Sequence, residues 1–197
     1  MSSAEAHLDA ARSALANRDP QTAVREADAA AAAGAAGAEP HWLAALGLAA
    51  SERPGMAVVA AGRGEGHAAD DPRAALVCAA VAALTGKQDA AEAFVNAALE
   101  RDPGCAGAHA VRAGLCLIAE DWDGADAAAN AGLKADPGHG ACERIVELAG
   151  DPVERDDPDQ CGAAVWAALV PAAADLAREP AAAPQAEAGW GAWFAPA

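Results

Sequence analysis

Among its 197 residues the chain has no tyrosine, two phenylalanines and two lysines. Leu, Ile, Val and Phe together number 29, against 65 alanines, so one thick core is excluded and thin contacts between closely approaching helices are expected. So few large apolar groups at a net charge of −16 would suit a disordered chain, but the helix propensity of alanine pulls the other way. Thirteen basic residues against 29 acidic ones exclude a phosphate-binding surface, so neither nucleic acid nor an anionic membrane is an expected partner. The acidity is read mainly as a means of solubility. Four serines and two threonines, none close to a histidine in sequence, argue against a serine triad. Five cysteines without a CxxC pair fit reduced thiols rather than a disulfide frame.

Long apolar runs are also missing. The longest uncharged stretch, Cys161 to Ala174, is too short to span a bilayer and is interrupted by Pro171. The start, Met1-Ser2-Ser3-Ala4-Glu5, has neither a basic flank nor an apolar run, so no signal peptide is read and a cytoplasmic protein without membrane insertion is expected.

What is present is periodic. Acid–proline pairs recur at Glu39-Pro40, Asp71-Pro72, Asp102-Pro103 and Asp136-Pro137, spaced 32, 31 and 34 residues apart, each following a helix-compatible stretch. In the unit from Arg73 to Pro103 an alanine-rich helix ends at Gly86, and a second, from about Asp89 to Glu100, puts Phe94, Val95, Ala98 and Leu99 on one face. The unit from Ala108 to Pro137 repeats the pattern around the turn at Asp121-Trp122-Asp123-Gly124. An alanine, a small or apolar residue four later and a proline eight beyond fall at Ala91, Val95 and Pro103, and again at Ala125, Ala129 and Pro137. These units resemble tetratricopeptide repeats. Ala60, Gly64 and Pro72 keep the spacing in a poorer unit starting at His41, whose glycine-broken second half predicts a short or distorted helix. The first unit, Ala4 to Pro40, reaches its proline five residues late and is read as carrying an insertion.

The resemblance implies an all-α, right-handed solenoid of about four antiparallel helical hairpins over residues 1–150, in which stacking neighbours bury what one hairpin cannot. Glu5, Asp9 and Arg12 suit a polar outer side at the start, and the helix Ala141 to Ala149 reads as a cap after the last repeat. Residues 151–160 form an acidic linker. Residues 161–197 form an appendage: a helical stretch to Arg178 that Pro171 must kink or split, a Pro/Ala tether and an aromatic tail.

No enzyme motif is found. Gly62-Arg63-Gly64-Glu65-Gly66 lacks the lysine and the strand context of a phosphate loop and reads as a turn. Cys105 and His109 follow one closing Pro-Gly, and His139 and Cys142 follow the next. Four such ligands could make a tetrahedral zinc site, but neighbouring repeats stand roughly 10 Å apart, so small buried thiols beside exposed histidines are expected. Cys78 and Cys116 read as packing residues. The acidic linker lacks the order of a calcium loop, and no metal or other cofactor is expected.

By the resemblance, first helices of successive units line a concave groove that holds a peptide, here with Trp42, Leu46, Leu76, Ala80, Leu84, Val111 and Leu117. Without a lysine set it would prefer apolar anchors to a carboxylate. The implied function is noncatalytic binding of an apolar polypeptide segment by an adaptor, assembly factor or chaperone; small acidic chaperones of bacterial secretion systems are an analogy in size and charge. The alternative is a structural subunit of a larger complex docked through its tail. The tail, GWGAWFAPA, holds three of the seven aromatics, Trp190, Trp193 and Phe194, and reads either as a groove ligand, in cis or by self-association, or as the completion of a terminal helix pair.

Overall fold

Three helices of this chain start where a side chain satisfies a first free amide. The Ser2 hydroxyl accepts from the Glu5 amide at 3.2 Å while the Ser2 amide donates to the Glu5 carboxylate at 3.1 Å, a reciprocal box that opens α1 (Ser3–Ala16). Asp19 accepts from the Thr22 amide at 3.0 Å ahead of Pro20 in α2 (Pro20–Ala32), and Asp121 accepts from the Gly124 amide at 3.0 Å ahead of α8 (Trp122–Ala135). Between these lie α3 (Glu39–Ala50), α4 (Pro54–His67), α5 (Pro72–Leu84), α6 (Gln88–Arg101) and α7 (Ala106–Ile118). After them come α9 (Gly140–Gly150) and α10 (Pro158–Leu176). The computed structural model describes residues 2–67, 72–151, 155 and 157–176, all of whose regular elements are helices.

The helices pack as sequential hairpins, α1 with α2, α3 with α4, α5 with α6 and α7 with α8, each hairpin also touching the next. This is the all-α architecture that the resemblance implies. Its true metre lies in the turns inside the hairpins. Arg18, Glu52, Gly86 and Glu120 have φ of 57°, 57°, 75° and 59°, and successive members stand 34 residues apart. Each donates to the carbonyl three residues back, and the following residue donates to the carbonyl five back, as Gly86 to Ala83 and Lys87 to Ala82, which ends the first helix in a Schellman turn. Only Gly86 is the residue type that this backbone prefers. In the other three the hairpin packing overcomes a cost of roughly 1–2 kcal/mol for a left-handed conformation.

The same step of 34 runs through the buried alanines. Ala11, Ala45, Ala79 and Ala113 form one row in the first helices, and Ala23, Ala57, Ala91 and Ala125 form another in the second; all are fully buried. The second unit is therefore in register through Ala57 and Ala61, not through Ala60 and Gly64 as its proline suggests. The reason is that the inner turns, which recur every 34 residues, set the register, and the prolines between hairpins do not. By the same measure the first unit carries no insertion: its proline falls late because it lies inside α3, after the loop 33–38 in which Gly34 and Gly37 take φ of 86° and 90°. Glu39-Pro40 and Pro72 then begin helices rather than end them, whereas Asp102 and Asp136 do close α6 and α8, their carboxylates accepting from the amides of Gly104 and Gly138.

Two further expectations change. Helix α4 is neither short nor interrupted, running 14 residues through its glycines, because Gly64 is the place where the Trp42 indole of α3 lies. A Cβ at Gly64 would overlap Cδ1 and Nε1 of that ring. Helix α10 is continuous across Pro171 rather than split, and it is no separate appendage: Leu169 and Val170 belong to the same buried cluster as Leu15, Leu46 and Val111.

Candidate polypeptide-binding face

The first helices form the inner layer of the stack, and they are far more apolar than their partners. In α3 every residue from Trp42 to Ala49 is buried, and in α5 every residue from Ala74 to Ala83. Second helices bury one stripe only, as in α6 with Ala91, Phe94, Val95, Ala98 and Leu99. An inner helix buried all round needs a cover on the side away from its hairpin partner.

Helix α10 supplies that cover. It lies against α1, α5, α7 and α9 and touches α3, all of them odd-numbered helices. Its stripe of Cys161, Ala164, Val165, Ala168 and Leu169 follows the 3–4 spacing of one helix face, and Ala164, Ala168, Leu169 and Val170 are fully buried. The two helices are in close contact at Gly114 of α7. A Cβ built there would stand 2.9 Å from the Ala168 Cβ and 3.3 Å from Leu169 Cδ2, so neither position has room for a larger residue. Two residues earlier and on another side of α10, Trp166 donates its indole N–H to the Leu15 carbonyl at 2.9 Å, in the last turn of α1. Near the start of α10, Arg144 donates to Gln160 at 2.6 Å. The Arg155 guanidinium donates to the Ala149 carbonyl and lies over the Trp122 ring at 5.4 Å.

The residues expected to line a groove are all found in this inner layer, but they occupy different rows and present no open wall. Trp42, Leu46, Leu76, Ala80, Val111 and Leu117 are buried, and Leu84 is half-buried. Trp42 is turned toward Gly64 of α4, with the Arg73 guanidinium 5.8 Å from its ring centre, because the glycine leaves a notch there that only a large flat group fills. Leu46 and Ala80 stand in the same row as Gly114, two repeats and one repeat before it in the 34-residue register. In the first repeat that row holds Arg12, which pairs with Asp9 at 2.6 Å and also with Glu39. Trp190, Trp193 and Phe194 lie outside the described residues.

Gly114, Trp166, Ala168 and Leu169 are the contributors that the sequence reading passed over. A glycine inside an apolar helix was the available signal: it costs about 1 kcal/mol against alanine unless another backbone approaches.

Other chemistry is sparse. The pocket between α6 and α7, about 240 Å³, is lined by Glu92, Val95, Asn96, Arg112, Leu115 and Cys116, among others, with Arg112 donating to Asn96. Burial and the Asp121 charge raise the Cys116 pKa, so its thiol stays protonated and is a poor nucleophile. Burial, with Asp136, pushes the Cys142 thiol up to about 11. His109 hydrogen-bonds the Pro103 carbonyl at 2.9 Å, and Cys142 points at the Ala106 carbonyl. Among the described residues no three His, Cys, Asp or Glu side chains come together as a metal site. Nor is any described helix long and apolar enough to cross a membrane.

No family model matches the chain, and no curated protein does. Among solved structures it is similar to YrrB, described as a TPR protein with an unusual peptide-binding site, at 21% identity over 75% of this chain and 76% of that one, with a TM-score of 0.49.

Proposed function

We propose that the chain is a noncatalytic protein–protein interaction scaffold, an adaptor, assembly factor or chaperone, whose inner helical face holds an apolar polypeptide segment. One observation carries this reading: the chain's own α10 lies across the odd-numbered helices and buries its apolar stripe there. A surface that takes one amphipathic helix has the shape and chemistry to take another, and its wall is small and apolar rather than charged. Leu46, Ala80 and Gly114 form the proposed wall, with Leu76, Leu84, Val111 and Leu117 in support. The protonated Cys116 thiol agrees with a noncatalytic role.

Partner capture with the full chain and with a chain ending at Ala188, followed by mapping of cross-links, tests this. Cross-links from the captured protein to α5, α7 or α10 are expected from both. Cross-links confined to α4, α6 and α8, or capture lost with residues 189–197, would overturn the groove in favour of a tail-docked subunit.

A further inference from the structure

A face that can hold a helix does not by itself choose among helices, but this one has two fixed points that would. The first is steric. With the Ala168 Cβ already 2.9 Å from where a Gly114 Cβ would be, any occupant must carry alanine or glycine at that crossing. Ala164, one turn earlier on the same stripe, is also fully buried. Leu169, directly after the crossing, is fully buried and within 3.3 Å of the same point. The second fixed point is polar. The Leu15 carbonyl accepts the Trp166 indole N–H at 2.9 Å while also accepting the Arg18 amide at 3.1 Å, so both of its lone pairs are engaged. These points lie on α7 and α1, on two sides of α10 and two residues apart along it, and together they set the rotation and register of whatever lies between them.

Resting on the scaffold reading above, we infer that the inner face between Gly114 and Leu15 is a selective docking site. It takes a helix from another polypeptide with the pattern Ala-x-Trp-x-Ala-Leu, in place of α10. The pattern is that of Ala164 to Leu169, and the occupant in the structure is the template for it. Three contacts belong to the tethered chain alone and lie before Ala164: Arg144 to Gln160, Arg155 to the Ala149 carbonyl, and the Cys161 thiol to the Arg155 carbonyl at 3.2 Å. They hold α10 by its start, next to the short connection from α9. A tether this short gives α10 an effective concentration on the order of millimolar, so a free helix with the same stripe displaces it only at a comparable concentration or by binding more tightly, and does so more readily once the tether is cut or the stripe of α10 is weakened. The site is thus guarded by a resident helix of the same chemistry as its partner.

The test uses the full chain with a protease site placed within residues 151–157. The folded protein is nicked and mixed with a labelled synthetic peptide of residues 158–176. The nicked protein should keep its α10 fragment on gel filtration, and the peptide should exchange into it. An Ala168→Leu peptide should bind at least about tenfold more weakly, and a Trp166→Phe peptide, which lacks the indole donor, several-fold more weakly. Equal exchange of the wild-type and Ala168→Leu peptides would overturn the selectivity while leaving the scaffold reading standing. A fragment that stays bound and never exchanges would overturn the docking site. Loss of the fragment with unfolding of the repeats would overturn both, because α10 would then be part of the core and nothing else. If the protease site itself destabilises the chain, the same peptides are titrated against the full-length Leu169→Asp protein. Saturable binding of the wild-type peptide and not of the Ala168→Leu peptide is expected there, and equal binding or none contradicts the proposal.

Discussion

Helices α5 and α8 are near neighbours in the same stack, yet one is buried over ten consecutive residues, Ala74 to Ala83, and the other only at Ala125, Ala128, Ala129 and Gly132. Their surroundings explain the difference. Helix α5 touches α3, α4, α6, α7 and α10, whereas α8 packs mainly on α7 and α9. A helix with one neighbouring layer needs one apolar stripe and can spend its other face on Asp123, Asp126 and Lys134. A helix enclosed on every side has no position to spare for a charge, and alanine is the residue that lets all its neighbours come close. Inner and outer layers therefore follow different rules, and within either a glycine matters only where another element approaches it, as at Gly114 and Gly64 but not at Gly62.

The largest effect is expected where the layers interlock. Trp42→Ala removes the fully buried ring that joins α3 to α4 and should cost about 3–5 kcal/mol in denaturant unfolding. A loss under about 1 kcal/mol would show that the Gly64 notch collapses around the gap. Next comes a matched pair of glycine substitutions. Gly114→Ala in the inner layer drives a methyl group into Ala168 and should destabilise the chain by about 1–3 kcal/mol. Gly62→Ala on α4, where an added Cβ meets nothing within 4 Å, should stabilise it by about 0.5–1 kcal/mol, since only helix propensity changes. The same sign at both sites would erase the distinction between a glycine at a helix contact and one facing open space.

The smallest effect is one of pH. His41 and His67 stack with ring centres 5.3 Å apart, joining the start of α3 to the end of α4. Burial lowers the His41 pKa, with help from the charges on His67 and Arg63 and against that of Asp28. Because the folded state disfavours the charged ring, its contribution is complete above the ordinary histidine value and declines as pH falls below about 6.5. Between pH 7 and pH 5 the melting temperature of the wild-type chain should drop more than that of a His41→Phe variant. Equal drops would assign the acid sensitivity to the carboxylates instead.

The sequence was most readable where local chemistry repeats. Asp102-Pro103 and Asp136-Pro137 mark connections between hairpins because an aspartate there accepts from the amide two residues on, and Gly86 marks a turn because its φ is positive. The 34-residue metre was hidden because Arg18, Glu52 and Glu120 hold the same turn without being turn residues; tertiary packing fixes them there. For the same reason four glycines did not break α4. The occupied inner face was legible only in part. The stripe from Cys161 to Leu169 could be read as one side of a helix, but nothing local says that its other side of the contact is Gly114 of α7 or the carbonyl of Leu15 in α1. Such pairings join residues far apart in the chain, and they follow from how the hairpins stack.

The central claim is that α10 fills the inner face with Ala168 against Gly114. It is tested most directly by a Gly114→Cys, Ala168→Cys double variant of the full chain, oxidised at low protein concentration and mapped by mass spectrometry. The two Cβ positions are 2.9 Å apart, so a slight outward shift brings them to the roughly 3.8 Å that a disulfide prefers. A near-quantitative bond between positions 114 and 168 within one monomer is the predicted result. Absence of that bond, with both thiols open to alkylation in the folded chain, would show that the face is not occupied by α10 and would contradict the account.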